Sequence, residues 1–461
     1  MDRLEQLRRQ EAFIKEVGKR KFSRREIVKA GTALGISAPM LAGLARYGAA
    51  PAAAQDGPLT MVGWGYSPEI VEDNVNNFMA LYDEEVDYQL TTGGNYHQIV
   101  ETKFLGGQKP SVVYSESEYM YRWWRAGFIQ DIEGIVGPEP TEFYKEEMLP
   151  FGVANLSLPN GNLAALPYYS GYNAFIYNMD HLEQAGLEPP TTWEEMNEQC
   201  RQLQTDGISE HPFLSAQNHE WASLSWSIFA IWYSEGEPVF DENFEPTFAD
   251  GGVAFQKVIE MHKQWLDEGI TPPDIMVHEL ESTPAWMTGN HTFMVVHDYD
   301  QQAFNVGETS NTQGIVGNAI IPGSARETFS WTACYLMGAE EVDRERTWNL
   351  MQYLGGKNSE GEYVGNTRWA LEKGLGNPHR EVLENPEVIA AWEGWRDMDV
   401  HVQQLEQSKG RAVEKTMWFP EWNWQMMTEV QEYMSGNREI GEVIDNLVQL
   451  VADLKELYPE E

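Results

Sequence analysis

The chain has 461 residues and a formal net charge of −40, from 32 basic and 72 acidic side chains. That length predicts two or more folding units. That charge excludes nucleic acid and anionic membrane surfaces as partners, because each needs a basic face. So acidic a surface keeps a protein soluble by self-repulsion, and it is also a composition whose repulsion high salt would screen.

Residues 1 to 54 differ from the rest. They hold 11 of the basic and 5 of the acidic side chains, which leaves 21 and 67 for the remaining 407 residues. The segment contains SRREIVKAG, then the uncharged run Ala30 to Ala45, then the small-residue stretch YGAAPAAAQ. Ser23 three residues before Glu26 is also a helix capping box, and the uncharged run is short for a membrane span of about 20 residues. A charged region, a short apolar stretch and an A-x-A end together describe a signal peptide. Paired Arg24 and Arg25, with Lys29 four residues beyond, resemble a twin-arginine export signal. Cleavage is expected after Ala54. The segment has no cysteine, so no lipid anchor is expected. The resemblance implies export after folding by the twin-arginine machinery, into a periplasm or outside the cell.

Further along, LTMVGWG (59–65) reads as a strand. SPEIVEDNVNNFMALYDEE reads as a helix with Ile70, Val71, Val75, Phe78, Met79 and Tyr82 on one face. Ser67 is its expected cap and Pro68 sits in its first turn. VDYQLTT (86–92) is a second strand, NYHQIVETKFLGG a helix closed by glycine, SVVYS a third strand and EYMYRWWRAG a third helix. The alternation predicts an α/β fold with a largely parallel sheet. Ligands in such sheets sit at the carboxyl ends of the strands, here Gly63 to Tyr66, Thr92 to Asn95 and Ser115 to Glu118. A second unit follows. PPTTWEEMNEQCRQLQ marks a helix start, with Thr192 as cap and Glu195 three residues on. SLSWSIFAIWY and FQKVIEMHKQWLDEG are further helices, HTFMVVHDYD and GNAIIPG strands. The tail REIGEVIDNLVQLVADLKELY spaces seven apolar residues from Ile440 to Leu454 as a packing helix. No internal repeat or long linker stands out.

Catalytic and metal motifs are absent. There is no G-x-S-x-G and no phosphate loop ending in G-K-[ST]. HEW at His219 and HEL at His278 have Ser223 and Ser282 where a zinc helix needs a second histidine. His291 and His297 flank a strand without a third ligand. No metal or cofactor is expected. Cys200 and Cys334 do not make a disulfide framework and are read as buried small residues. A single bridge stays open in an exported chain. The pair Glu116 and Glu118 in YSESEYM could do acid and base work on a glycosidic bond, so a secreted glycosidase is an alternative reading.

Several stretches in order carry a family resemblance: TTGGNYHQIVETKFLGGQKPSVVY, WWRAGFIQDI, LPYYSGYNAFIYNMDHLEQAGLEPPTTWEEM, AWMTGNHTFMVV, GNPHREVLENPEV and PEWNWQMMTEVQEYMSG. From about 57 to 455 the chain resembles the extracellular solute-binding proteins of ABC sugar importers, the group of the maltose- and trehalose-binding proteins. The resemblance implies the two-lobed periplasmic-binding-protein fold (type II), with a ligand cleft between lobes. On that pattern 57–167 and 332–405 build the first lobe, 173–328 and 410–461 the second. Residues 168–172, 329–331 and 406–409 are the hinge crossings. It implies a monomer that closes on a carbohydrate, either a mono- or oligosaccharide or a polyol. Delivery would be to membrane permease subunits served by a separate ATPase, without catalysis. A binding protein that feeds a chemosensor is the other alternative.

Sugars have an apolar C–H face and a hydroxyl rim, so rings and polar side chains are the candidate contacts. In the first lobe these are Trp64 and Tyr66 after the first strand, Asn95 after the glycine turn, and Glu116 after the third strand. The maltose binders carry Trp and Asp near that last strand end. This chain has Ser115 and Glu118, which argues against maltose itself. In LPYYSGYN, Pro167 and Gly171 shape the crossing, Tyr169 and Tyr172 are assigned to the cleft, and Tyr177 to packing. In the second lobe Trp221 opens an apolar helix. Asp298 and Tyr299 follow FMVVH, where the maltose family has a stacking Trp. Trp331 sits at the second crossing, and Arg380 in NPHRE is a polar candidate. Trp422 and Trp424 fall near the family's late stacking Trp, one expected to bind and the other to pack. Trp123 and Trp124 are read as core and surface cover.

Overall fold

A computed structural model describes residues 57–92, 96–215, 223–249, 252–273, 282–339 and 343–459. Arg24, Arg25, Asn95 and Trp221 lie outside the described residues.

The apolar run after Gly57 forms strand β1 (Leu59–Trp64), and VDYQLT forms β2 (Val86–Thr91). The two pair in parallel, and β1 also pairs in parallel with β3 (Val112–Glu116). Two short strands bracket the next stretch: β4 (Ile129–Gln130), and β6 (Phe213–Leu214) beyond the long β5 (Ala165–Asn178). Strands β7 (Phe293–His297), β8 (Val316–Ala319), β9 (Thr328–Gly338) and β10 (Ser408–Lys409) complete the set. The hydrogen-bonded order is β2-β1-β3-β9-β5-β7-β6.

Two strands do most of the joining. The fourteen residues of β5 pair antiparallel with β9 over Ala165–Tyr172, with a bulge between Pro167 and Tyr169. The far half of β5 pairs with β7 and β8. In turn β9 pairs with β3, placing Glu116 opposite Ala333. A third segment, β10, runs beside Thr328 and Phe329. The sheet is therefore mixed, whereas strand–helix alternation predicts a largely parallel one. The parallel pairs are local to β1–β3, β6–β7 and β9–β10; the antiparallel pairs all involve β5 or β9.

Burial separates into two large cores. One gathers Phe78, Val113, Trp123 and Leu336, the other Phe175, Trp193, Trp265 and Trp422. Each fully buried side chain of this size contributes about 1.5–3 kcal/mol. The tail helix Ile440–Leu457 buries Val443, Leu447, Val451 and Leu454, the spacing expected of it. The indole of Trp422 donates to the Leu447 carbonyl (3.2 Å).

Local chemistry differs from expectation at one helix start. Ser67 does not cap helix Pro68–Tyr82 with its side chain; it adopts a left-handed backbone (φ 42°), and its carbonyl accepts from Ile70 N–H (2.9 Å). At Trp193–Thr205 the expected cap forms, Glu195 N–H donating to Thr192 Oγ1 (3.1 Å). The Glu195 carboxylate reaches past Thr192 to accept from Thr191 N–H (2.7 Å). Cys200 and Cys334 are both buried free thiols, so no bridge joins them. Among the described residues no helix is long and apolar enough to cross a membrane, and no cluster of His, Cys, Asp and Glu has metal-binding geometry.

Candidate ligand-binding cleft

A cavity of about 360 Å³ opens where the carboxyl ends of β1 and β3 face the end of β7, with Tyr169 of β5 between them. Such a volume suits a small solute.

The first wall comes from the β1–β3 side. Trp64 ends β1 and Tyr66 follows it; Glu116 ends β3. Tyr96 locks this corner, because its hydroxyl donates to the Tyr114 carbonyl (3.0 Å) across the sheet. The Trp64 ring packs edge-on to Tyr96 (5.5 Å between centroids) and parallel to Tyr114 (6.4 Å). His97 and Tyr119 stack at 3.6 Å, also on this wall. Burial pushes the His97 imidazole down to about 3, so it is neutral.

The opposite wall is aromatic too. Trp226, from helix Ser223–Ser234, lies parallel to Trp331 at 4.9 Å and edge-on to His297 at 4.6 Å. Tyr299 stacks on His297 (5.3 Å) and meets Tyr169 edge-on (6.0 Å). Trp424 and Asn423, from helix Phe419–Met434, complete this side.

The floor is ionic. Arg411 Nη2 donates to Glu118 Oε2 (2.8 Å), its Nε to Glu414 Oε1 (2.6 Å) and its Nη1 to Ser225 Oγ (3.1 Å). Ser117 Oγ donates to Glu414 Oε2 (2.9 Å). The guanidinium sits over the rings of Phe329 (4.4 Å), Phe229 (4.9 Å) and Phe419 (5.0 Å). Glu116 is pushed up to about 8, by burial first and by the like charges of Glu118 and Glu414 next, with Arg411 opposing. Glu118 is also raised by burial, against the pull of Arg411.

Six of the candidate ligand contacts therefore meet here: Trp64, Tyr66, Glu116, Tyr169, Tyr299 and Trp424, together with Glu118 of the carboxylate pair and His297. Five do not line the cavity. Tyr172 is buried away from the cavity, its hydroxyl 3.0 Å from His401 Nδ1. Asp298 is sealed by an ion pair with Arg396 Nη1 (3.3 Å) and accepts from Tyr172 N–H (3.3 Å). Trp331 stands one layer back, supporting Trp226. A Cβ at Gly171 would come within 2.8 Å of the Trp331 ring and 2.9 Å of Asp298, so only glycine fits that crossing. Trp422 is fully buried in the second core. Arg380 starts the short helix Arg380–Leu383, in another part of the first core's surface. Trp226, His97, Tyr119 and Asn423 also line the cavity and are not among the sequence candidates; Trp226 sits between Ser225 and Ser227 in a segment that reads only as a packing helix.

The family model described as bacterial extracellular solute-binding protein matches residues 64–333. The chain belongs to that family. Among curated relatives, the sn-glycerol-3-phosphate-binding periplasmic protein UgpB of Agrobacterium fabrum is 28% identical over 180 residues, 36% of this chain and 39% of that protein. UgpB of Brucella abortus is 35% identical over 120 residues, 23% of this chain and 26% of that one. The matched stretches thus span well under half of these relatives. Maltose-bound MalE3 of T. maritima superposes with a TM-score of 0.73 at 19% identity, covering 87% of this chain and 99% of that one. A solute-binding protein of Agrobacterium radiobacter in complex with ribitol gives 0.73 at 16% identity, over 88% and 100%. These likenesses establish the two-lobed solute-binding fold; β5 and β9 each contribute side chains to both large cores.

Proposed function

We propose that this family member is the exported substrate-binding component of an ABC importer for a carbohydrate or polyol. The carrying observation is the aromatic cavity between the two strand systems, lined from both sides and floored by carboxylates. Rings cover the C–H face of a sugar, and Glu116, Glu118 and Asn423 meet its hydroxyls. The names of the relatives, whose ligands include maltose, ribitol and glycerol-3-phosphate, support a small polyhydroxylated solute.

In this reading the lobes are 57–167 with 332–405 and 173–328 with 410–461, pivoting at 168–172, 329–331 and 406–409. Ligand stabilises the closed state, which docks on a permease served by a separate ATPase. The leader carrying Arg24 and Arg25 is removed near Ala54. No bond is made or broken. A thermal-shift panel of sugars, polyols and glycerol phosphates on residues 55–461 tests this. A ligand at about 100 times Kd adds about 2.7 kcal/mol, a shift of a few degrees. A selective shift with the sugar recovered intact supports the proposal. Hydrolysed sugar would favour a glycosidase using Glu116 and Glu118, and no shift across the panel would contradict carbohydrate binding.

A further inference from the structure

We propose that the ligand of this cleft carries a positively charged nitrogen, seated among the aromatic rings against the Glu116 and Glu118 carboxylates. The inference rests on the solute-binding reading and narrows it.

The first ground is the charge inventory of the cavity. Glu116 and Glu118 line it, and among the described residues no lysine or arginine does. The guanidinium of Arg411 lies beneath and is already divided between Glu118, Glu414 and Ser225, and that of Arg122, beside Tyr119, is paired with Glu101. His97 is neutral through burial. His297 also lines the cavity, with its Nδ1 3.4 Å from the Asp300 carboxylate. A phosphate or carboxylate ligand would meet the Glu116 and Glu118 carboxylates with no lysine or arginine of the lining to pair it. A neutral hydroxyl fills the hydrogen-bonding capacity of a carboxylate but leaves its charge unbalanced. A cation supplies both.

The second ground is the shape of the walls. Trp64, Trp226, Trp424, Tyr119 and Tyr299 come from five separate segments, four within strands or helices and Tyr299 in the turn after β7, and line one space. The negative face of an aromatic ring attracts cations, and rings arranged around a point are how ammonium groups are recognised. The same chemistry comes from two sources, a protonated amine on a sugar or a quaternary ammonium compound.

The two readings differ in their response to pH. Glu116 titrates near 8. The charged groups facing it are Glu118, Glu414 and Arg411. The other titratable neighbours, Tyr96, Tyr114, Tyr119, Tyr169 and Cys334, are all pushed upward by burial and stay neutral. A bound cation selects the ionised carboxylate, so binding below about pH 8 releases a proton. Affinity then falls as the pH drops, by up to about tenfold per pH unit. A neutral sugar held by the protonated acid shows no such fall.

The test is calorimetric titration of the leader-free protein with D-glucosamine and choline against D-glucose, mannitol and glycerol-3-phosphate, from pH 6 to 9. The expected result is a preference of about tenfold or more for a cationic probe over every neutral one, and no binding of the phosphate. Choline keeps its charge at every pH, so its affinity, if it binds, should rise to about pH 8 and then level. Glu116→Gln should weaken the cationic probe about tenfold and flatten that profile. Choline against glucosamine tells a quaternary ammonium from a sugar amine. Glucose or mannitol binding as well as the cations would overturn the inference and leave the solute-binding reading standing. Failure of every probe would contradict both. The wild-type panel decides on its own even if the variant misfolds.

Discussion

Glu116 and Asp298 look alike in sequence: each is a carboxylate at the carboxyl end of a strand. The structure treats them differently. Asp298 is enclosed, paired with Arg396, whose guanidinium is clamped between the Trp392 and Trp395 rings at 4.5 and 4.1 Å. Glu116 faces the cavity beside two further carboxylates that share a single arginine. One site has its charges matched inside the fold. The other has a surplus that a ligand can use. Balance of charge, more than position on the sheet, separates structural from binding carboxylates here.

The comparison can be broken most severely at the matched site. Asp298→Ala strands a buried guanidinium and should cost about 3–5 kcal/mol, read by denaturant unfolding. Ligand affinity of the folded fraction should stay within about threefold. Unchanged stability with lost affinity would reverse the assignment.

A similar contrast holds between two tryptophans of one helix. Trp422→Ala should destabilise by about 3–5 kcal/mol. Trp424, 43% exposed at the cleft, should cost less than about 1 kcal/mol of stability when changed to alanine. Its loss should weaken ligand binding about tenfold or more, through a contact of about 1.5–3 kcal/mol. Equal effects of the two on melting would contradict their placement.

Glu116 sharpens the comparison through pH. Its folded carboxyl titrates near 8, against 4.5 for an unperturbed one. The folded state therefore binds this proton more tightly than the unfolded state. Stability from this group is complete below about pH 4.5, declines as the pH rises, and stays lost above about 8. Glu116→Gln should raise the melting temperature by several degrees at pH 8–9 and leave it nearly unchanged at pH 4. A loss at pH 9 would mean that a partner holds the ionised form.

The smallest effect belongs to the exposed pair Arg201–Glu268, bonded at 2.8 and 3.1 Å. Arg201→Ala should cost under about 1 kcal/mol in denaturant unfolding. A larger loss would show surface pairs holding this acidic fold.

Much of this was legible in the sequence because it is local. Strand–helix alternation put Trp64, Tyr66 and Glu116 at strand ends, where α/β sheets bind ligands. What was hidden is phase and layering. Along a strand, side chains alternate between faces, so Tyr169 and Tyr172, three apart, point to opposite sides. Nothing local says which side is the cleft. On a helix at 3.6 residues per turn, Trp422 and Trp424 also diverge; the packing of the tail helix decides which is buried. Trp331 lies one layer behind the cavity because the indole of Trp226 stacks in front of it, a contact between distant segments that no local pattern reveals. The mixed sheet is not legible in the sequence because β5 and β9 pair across more than 150 residues, a distance no periodicity reaches.

The central claim is that this aromatic, carboxylate-floored cavity is the solute site. It is tested most directly by a crystal structure of residues 55–461 grown with the strongest binder of the panel. The account predicts ligand density between Trp64 and Tyr66 on one side and Trp226 and Trp424 on the other, within reach of Glu116. Density elsewhere, such as the groove formed by Tyr363, Arg368 and Glu387, with the central cavity filled only by water, would contradict it.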